Sequence, residues 1–325
     1  MEEQKIDRRE FIKRTSRAGA AIAVTGGLTG LLYINTERVK GNEATVLMRN
    51  YRVPIPKDKP VMAIVKGGAP EALTKAAINA LGGIETFISR GDIVVLKPNI
   101  GWDRVQEQAA NTNPEIVKTV AMLCLNAGAK KVIVSDVSCN DPQRCFTRSG
   151  IAKAAESVGA IVLLPEERKF KNFKINGELL TVWPIYTPII EADKIINIPI
   201  VKHHNLARAT LGMKNLYGIV GGNRNQLHQN LDVCIADLAS FLKPTLTVLD
   251  AYRILTANGP QGGNLSDVKL CKIVAASTDP VAIDAYGATL LGLKAEDIPC
   301  IGIGYKRGLG NKNYLEVPTA NINIE

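Results

Sequence analysis

Residues 92–136 read DIVVLKPNIGWDRVQEQAANTNPEIVKTVAMLCLNAGAKKVIVSD. The first six, 92–97, are a short apolar run bounded by charge, the pattern of a buried strand. Asn113 then precedes Pro114: an N-cap residue followed by the residue type whose missing N–H costs nothing in a first helical turn. This spacing predicts a helix over 114–126, closed by Gly128. Residues 131–135 return to an apolar strand pattern. Strand, helix and strand in this order make a parallel crossover, and parallel sheets bury both faces under helices.

The same alternation continues on either side. Upstream, 61–66 reads as a strand and 70–81 as a helix stopped by Gly82-Gly83. Downstream come a helix over 146–158 and a strand over 160–164. Asn176-Gly177 sits between extended runs in 173–182 and signals a hairpin. Further on are a helix over 231–242, strands over 245–249 and 269–275, and a helix over 280–291 begun by Asp279. The expected fold class is α/β, a mostly parallel sheet covered by helices on both faces. A small hairpin-containing insertion is expected over 165–190, within a single domain over 61–325.

Residues 195–230, IINIPIVKHHNLARATLGMKNLYGIVGGNRNQLHQN, hold all three histidines of the chain. An apolar run over 195–201 ends in Lys202-His203-His204. Arg208, Lys214, Asn215, Gly221-Gly222 and Arg224 follow, a set suited to holding an anion or a metal-bound ligand. Ligands of open α/β sheets bind beyond the carboxyl ends of strands. Lys97, Asn99, Asp136, His203, His204 and Asp250 all stand at such ends. Lys97, Asn99, Lys202, Lys214, Asn215 and Arg224 are therefore the candidate ligand-binding residues. His203 and Asp250 are the candidate catalytic pair, and His203 with His204 the candidate metal ligands. Adjacent residues of an extended strand point to opposite faces, so only one of the two histidines can face a given site. Neither GIVGGNR (218–224) nor GPQGG (259–263) matches a dinucleotide or Walker A loop.

Length and composition bound the alternatives. At 325 residues and 46% hydrophobic content the chain buries a large core. The formal net charge is +9, of which about +3 lies within residues 1–40. No basic helix or aromatic–basic interleaving concentrates the rest, which argues against nucleic acid and for small anions. Of six cysteines, only Cys139 and Cys145 are close in sequence. Free thiols, a disulfide or two ligands of an iron–sulfur cluster are all compatible with them, although ferredoxin-type spacing is missing. A divalent metal is a further cofactor compatible with the histidines.

Asp7-Arg8-Arg9-Glu10-Phe11-Ile12-Lys13 precedes an apolar, glycine-containing stretch over 18–34. This resembles the leader of the twin-arginine export pathway, with Asp7 where that motif usually has Ser or Thr. The resemblance implies the twin-arginine machinery as a partner and a location across the cytoplasmic membrane. No A-x-A-like cleavage site follows, which leaves membrane anchoring through 18–34 open. Residues 41–60, with Pro54, Pro56 and Pro60, read as a linker.

From about 60 to 310 the chain resembles the domain-of-unknown-function 362 family. VVLKPNIG (94–101), NTNPEIV (111–117), VIVSD, IVKHH, TLGMKNLYG (210–218), the Gly259-Pro260 pair and STDPVAIDA (277–285) carry the resemblance. Some members of that family are iron–sulfur proteins with an added ferredoxin-like segment; the resemblance brings no substrate. The resulting expectation is an exported enzyme acting on a small anionic substrate at the carboxyl edge of the sheet. A non-catalytic anion carrier and a redox protein built on Cys139 and Cys145 are the alternatives. Replacing Arg8 and Arg9 together by Lys should hold the protein inside the cytoplasm, as read by cell fractionation. Unimpaired export of that double variant would remove the twin-arginine reading.

Overall fold

A computed structural model describes residues 50–325. The leader at 1–40, its 18–34 stretch and the first part of the 41–60 segment lie outside the described residues. The chain runs through β1 (Met62–Lys66), α1 (Pro70–Ala80), β2 (Ile93–Pro98), α2 (Pro114–Asn126) and β3 (Lys131–Val134). Next come α3 (Pro142–Arg148), α4 (Ile151–Glu156), β4 (Ile161–Val162), β5 (Phe170–Lys174), β6 (Val182–Tyr186) and α5 (Thr187–Ile190). Then follow β7 (Lys194–Ile198), β8 (Ile200–His204), β9 (Arg208–Thr210), α6 (Gly212–Asn215) and α7 (Leu231–Phe241). The last elements are β10 (Leu246–Leu255), β11 (Val268–Ser277), α8 (Pro280–Leu290), α9 (Pro299–Lys306) and β12 (Thr319–Asn323).

Among the described residues ten strands form one sheet, ordered β12-β1-β11-β10-β7-β2-β3-β4, with β8 beside β10 and β9 beside β8. Only β11 and β9 run antiparallel to their neighbours. The α/β class with a mostly parallel sheet is thus the observed one. Side chains alternate across it as the pleat requires. In β2, Val94 and Leu96 pack on one face with Ala77, Val117 and Val120 of α1 and α2. Val95 packs on the other, with Ile235 and Leu238 of α7 and Ile283 of α8.

The structure corrects three local expectations. The helix over 146–158 is two short ones, α3 and α4, because Gly150 between them has a φ of 78°. Its true start is Asp141, whose carboxylate accepts from the Arg144 N–H at 2.9 Å and caps α3. The single strand over 195–201 is also two. Pro199 has no N–H to continue a ladder: β7 pairs with both β2 and β10, whereas β8 stays beside β10 and leaves β2. Lys202-His203-His204 therefore lies inside β8, not beyond a strand end. Helix α9 and strand β12 had no counterpart in the sequence reading.

The hairpin is present as the separate two-stranded sheet β5–β6, with Phe170 opposite Tyr186. Its tip is longer than a two-residue turn. Asn176 takes a φ of 55°, and the Gly177 N–H donates to the Leu180 carbonyl. Asp237 of α7 fastens this tip, its carboxylate accepting from the N–H groups of Glu178, Leu179 and Leu180, each at 2.9 Å. Arg307 adds an ion pair at 2.8 Å. Three backbone donors and a guanidinium would lose their acceptor in Asp237→Ala. The expected cost is about 3 kcal/mol by urea unfolding, and a loss below about 1 kcal/mol would show that water replaces the carboxylate.

Candidate functional site

A cavity of about 540 Å³ opens beyond the carboxyl ends of β2 and β3, walled on the other side by β8, β9 and the segment that follows. At its floor Lys97, fully buried, lies 2.6 Å from the Asp136 carboxylate. Asp136 Oδ1 has no well-aligned hydrogen bond, so this contact is Coulombic. Asp136 Oδ2 accepts from the Ile100 N–H at 2.6 Å. Burial lowers the Lys97 pKa, and the Asp136 charge opposes that shift. Gly218 is obligatory here: a Cβ at that position would sit 1.9 Å from Asp136 Oδ1 and 2.6 Å from Lys97 Nζ.

An amide network extends from this pair. Asn215 Oδ1 accepts from Lys97 Nζ at 3.2 Å and from Asn99 Nδ2 at 2.9 Å. Asn215 Nδ2 donates to Asn197 Oδ1 and to the Lys97 carbonyl. Lys202, 1% exposed, donates to Asn99 Oδ1 at 2.9 Å and to the Ala110 carbonyl at 2.6 Å. It has no carboxylate partner among these contacts, and burial pulls its pKa down to about 7.

Three groups on the β8–α6 wall keep unspent hydrogen-bonding capacity. His204 Nδ1 accepts from the N–H groups of Leu206 and Ala207, both at 3.2 Å. That assigns the ring proton to Nε2. Burial, then the charges of Lys214 and Lys202, hold its pKa far below the usual imidazole value, so the ring is neutral. Thr210 is buried and its Oγ1 has no partner. Lys214 Nζ lies 5.1 Å from the centre of the Tyr217 ring, and no hydrogen bond or ion pair from the described residues holds it. Burial lowers the Lys214 pKa to about 8. Arg224 stands opposite, anchored by donation to the carbonyls of Val137 and Ser138 at 2.8 and 2.7 Å.

Of the candidate residues, Lys97, Asn99, Lys202, His204, Lys214, Asn215 and Arg224 line this cavity. His203 does not. Its side chain leaves the opposite face of β8, faces a separate groove of about 430 Å³ with Arg208 and Leu293, and accepts from the Gly259 N–H at 3.1 Å. Asp250 does not line the cavity either. It is buried within β10 and accepts from the Asn113 N–H at 2.7 Å and the Tyr252 N–H at 2.9 Å, bracing the start of α2. Burial raises its pKa to about 7. The expectation that His203 shares a cleft with Lys97 is thereby corrected, because the pleat sends neighbours to opposite sides. Both histidines border that groove, and His204 alone of the two also borders the cavity. Among the described residues no group of three or more His, Cys, Asp or Glu side chains is placed to hold a metal ion.

Cys139 is exposed at the cavity wall while Cys145 is buried in the core, and both are free thiols. Cys139 was singled out from the sequence only with Cys145 as a possible disulfide, cluster or redox pair, and Thr210 and Tyr217 were not named as site residues. Both lie inside the 210–218 run, and a reading of that run as one wall would have included them.

The model of the family described as Domain of unknown function (DUF362) matches residues 94–289, which span every cavity residue named above. The chain belongs to the DUF362 family. A thylakoid-associated protein of Synechocystis sp. is 25% identical over 252 residues, which cover 75% of this chain and 77% of that protein. Two solved structures resemble this DUF362 chain at a TM-score of 0.40. A Thermotoga maritima protein is 9% identical, with 70% of this chain and 60% of that one covered. The lactate racemase apoprotein from Thermoanaerobacterium thermosaccharolyticum is 10% identical, with 73% and 58% covered. The chain thus spans about 60% of the length of either structure.

Lys202 gives a test of this electrostatic picture. An unfolded lysine titrates near 10.4, so between pH 7 and 10 the unfolded chain binds more protons at this position than the folded one. The native state therefore gains stability from this group as pH rises through that window. Between pH 7 and 9 wild type should gain on Lys202→Met by about 1 kcal/mol per pH unit, measured by urea titration at each pH. A difference independent of pH would mean that Lys202 titrates normally.

Proposed function

We propose that this protein is an enzyme acting on a small organic anion bound in the 540 Å³ cavity. One observation carries the reading: Lys97, Lys202, Lys214 and Arg224 line the cavity against the single carboxylate of Asp136, which Lys97 already occupies. A buried surplus of positive charge is costly unless something compensates it. An anionic ligand would do so, with Lys214 and Arg224 as its direct partners and Asn99 and Thr210 as orienting groups. Turnover is favoured over mere carriage because Lys202 and Lys214, at about 7 and about 8, exchange protons near neutrality. Neutral His204 supplies a fixed Nε2–H donor beside them.

The location proposed with this activity is beyond the cytoplasmic membrane. The Arg8-Arg9 leader and the thylakoid association of the Synechocystis relative support it. No helix among the described residues is long and apolar enough to cross a membrane.

An anion bound near Lys214 and Lys202 stabilises their charged forms and raises both pKa values. At pH 8 binding should therefore take up protons. Titration calorimetry with small carboxylates and with phosphate should give heats that change with the buffer's ionisation enthalpy in the sense of proton uptake. Lys214→Met should lower both the affinity, by tenfold or more, and the uptake. Heats independent of buffer, or an unchanged affinity in the variant, would refute the anion reading.

A further inference from the structure

Resting on that anion site, we infer that the ligand carries a carbonyl next to its carboxylate, and that Lys214 captures it as an imine. The geometry comes first. Among the described residues, Lys214 is the one cavity lysine that no hydrogen bond or ion pair holds: Lys97 is locked to Asp136 and Asn215, and Lys202 to Asn99 and Ala110. A lysine serving only to neutralise charge works equally well when anchored. One left free on a half-buried wall above the Tyr217 ring, at 5.1 Å, can travel to form a bond.

The second observation is independent of the lysine. Thr210 Oγ1 is buried on the same wall with no partner, although hydroxyls in such places almost always have one. His204 Nε2–H also carries no protein partner, since Nδ1 takes both backbone donors. Two neutral donors beside an amine suit an uncharged carbonyl oxygen, while Arg224 with its remaining guanidinium hydrogens suits the carboxylate. A phosphate or a plain carboxylate would use Arg224 and Lys214 but would leave the neutral pair unexplained. The ligand class that engages all of them is a 2-oxo acid or an aldehyde acid.

The step balances without an added reagent. The Nζ lone pair of neutral Lys214 forms a bond to the carbonyl carbon. The carbonyl π bond breaks onto oxygen, which His204 and Thr210 stabilise by donation. Both Nζ hydrogens then leave with that oxygen as water, and the carbon–nitrogen double bond remains. The Lys214 pKa of about 8 makes the neutral amine available near pH 7, as exposed lysines are not.

The test is reductive trapping on the full chain. Glyoxylate and sodium cyanoborohydride are added at pH 7, so that hydride delivered to the imine carbon leaves a stable secondary amine, and the modified lysines are located by peptide mass mapping. Lys214 should be labelled at least tenfold faster than the average surface lysine. Lys214→Arg should lose that label and keep the others, with an unchanged melting temperature as the check on folding. Thr210→Val retains the amine and should slow labelling of Lys214 several-fold. In parallel, oxalate, which has no reactive carbonyl, should raise the melting temperature and protect Lys214. If oxalate stabilises the protein but Lys214 is labelled no faster than surface lysines, the imine is overturned and the anion site stands. If oxalate has no effect either, both fall.

Discussion

Lys97 and Asp136 meet 2.6 Å apart with both side chains almost wholly buried. Removing two charges from water costs several kcal/mol each, and their attraction compensates only when geometry and further hydrogen bonds are right. Every neighbouring element answers to that requirement. β2 and β3 deliver the two residues in adjacent strands, Gly218 clears the space above them, and Asn215 supplies an oxygen to the lysine. The Ile100 N–H completes the second carboxylate oxygen. The buried pair thus ties the ends of two parallel strands to the segment 210–218 that walls the cavity, and the rest of the site takes its position from that tie.

The cavity's electrostatics follow from the same burial. Three lysines share one wall system, and the desolvation that lowers each pKa is the reason their functional roles can differ. Lys97 keeps its counter-ion, Lys202 donates to two oxygen acceptors, and Lys214 rests over the face of the Tyr217 ring. His204 is held neutral by burial and the neighbouring lysine charges, and two backbone donors fix its tautomer, which makes it a directional donor instead of a fourth positive charge.

Much of this was legible in the sequence, and the failures have physical causes. Helix α2 was predicted to the residue because Asn113, Pro114 and Gly128 mark both of its ends. The strand-end rule found Lys97, Asn99 and Asp136, since local apolar runs reveal where buried parallel strands stop. It failed for Asp250, which belongs to a strand that continues to Leu255 through half-buried residues. It failed for His203 because the effect of Pro199 is non-local: the proline shows that a ladder must break, but not that the chain will leave β2, stay beside β10 and run on as a strand through His204. Strand β12 lacks an apolar run, as an edge strand with alternating exposure does, so its pairing with β1 left no mark in the composition. The anchoring of the hairpin tip by Asp237 joins residues nearly sixty positions apart and was invisible for the same reason.

The position of β1 has a consequence in time. Strand β1, the first among the described residues, lies between β11 and β12, and Met62 pairs with Ser277 on one side and Thr319 on the other. Neither neighbour exists until most of the chain has been made. At roughly 5–20 residues per second of synthesis, β1 waits on the order of 10–50 s for its partners. Throughout that interval Met62, Ala63, Ile64 and Val65, all buried in the finished sheet, are an apolar segment without its sheet partners, and such a segment is a template for pairing with another nascent chain. Helix α1, which follows at once and packs on β1, can cover one face early but no edge. Sheet closure is therefore among the last folding events, and the period before it is when this protein is most exposed to aggregation and most in need of a chaperone.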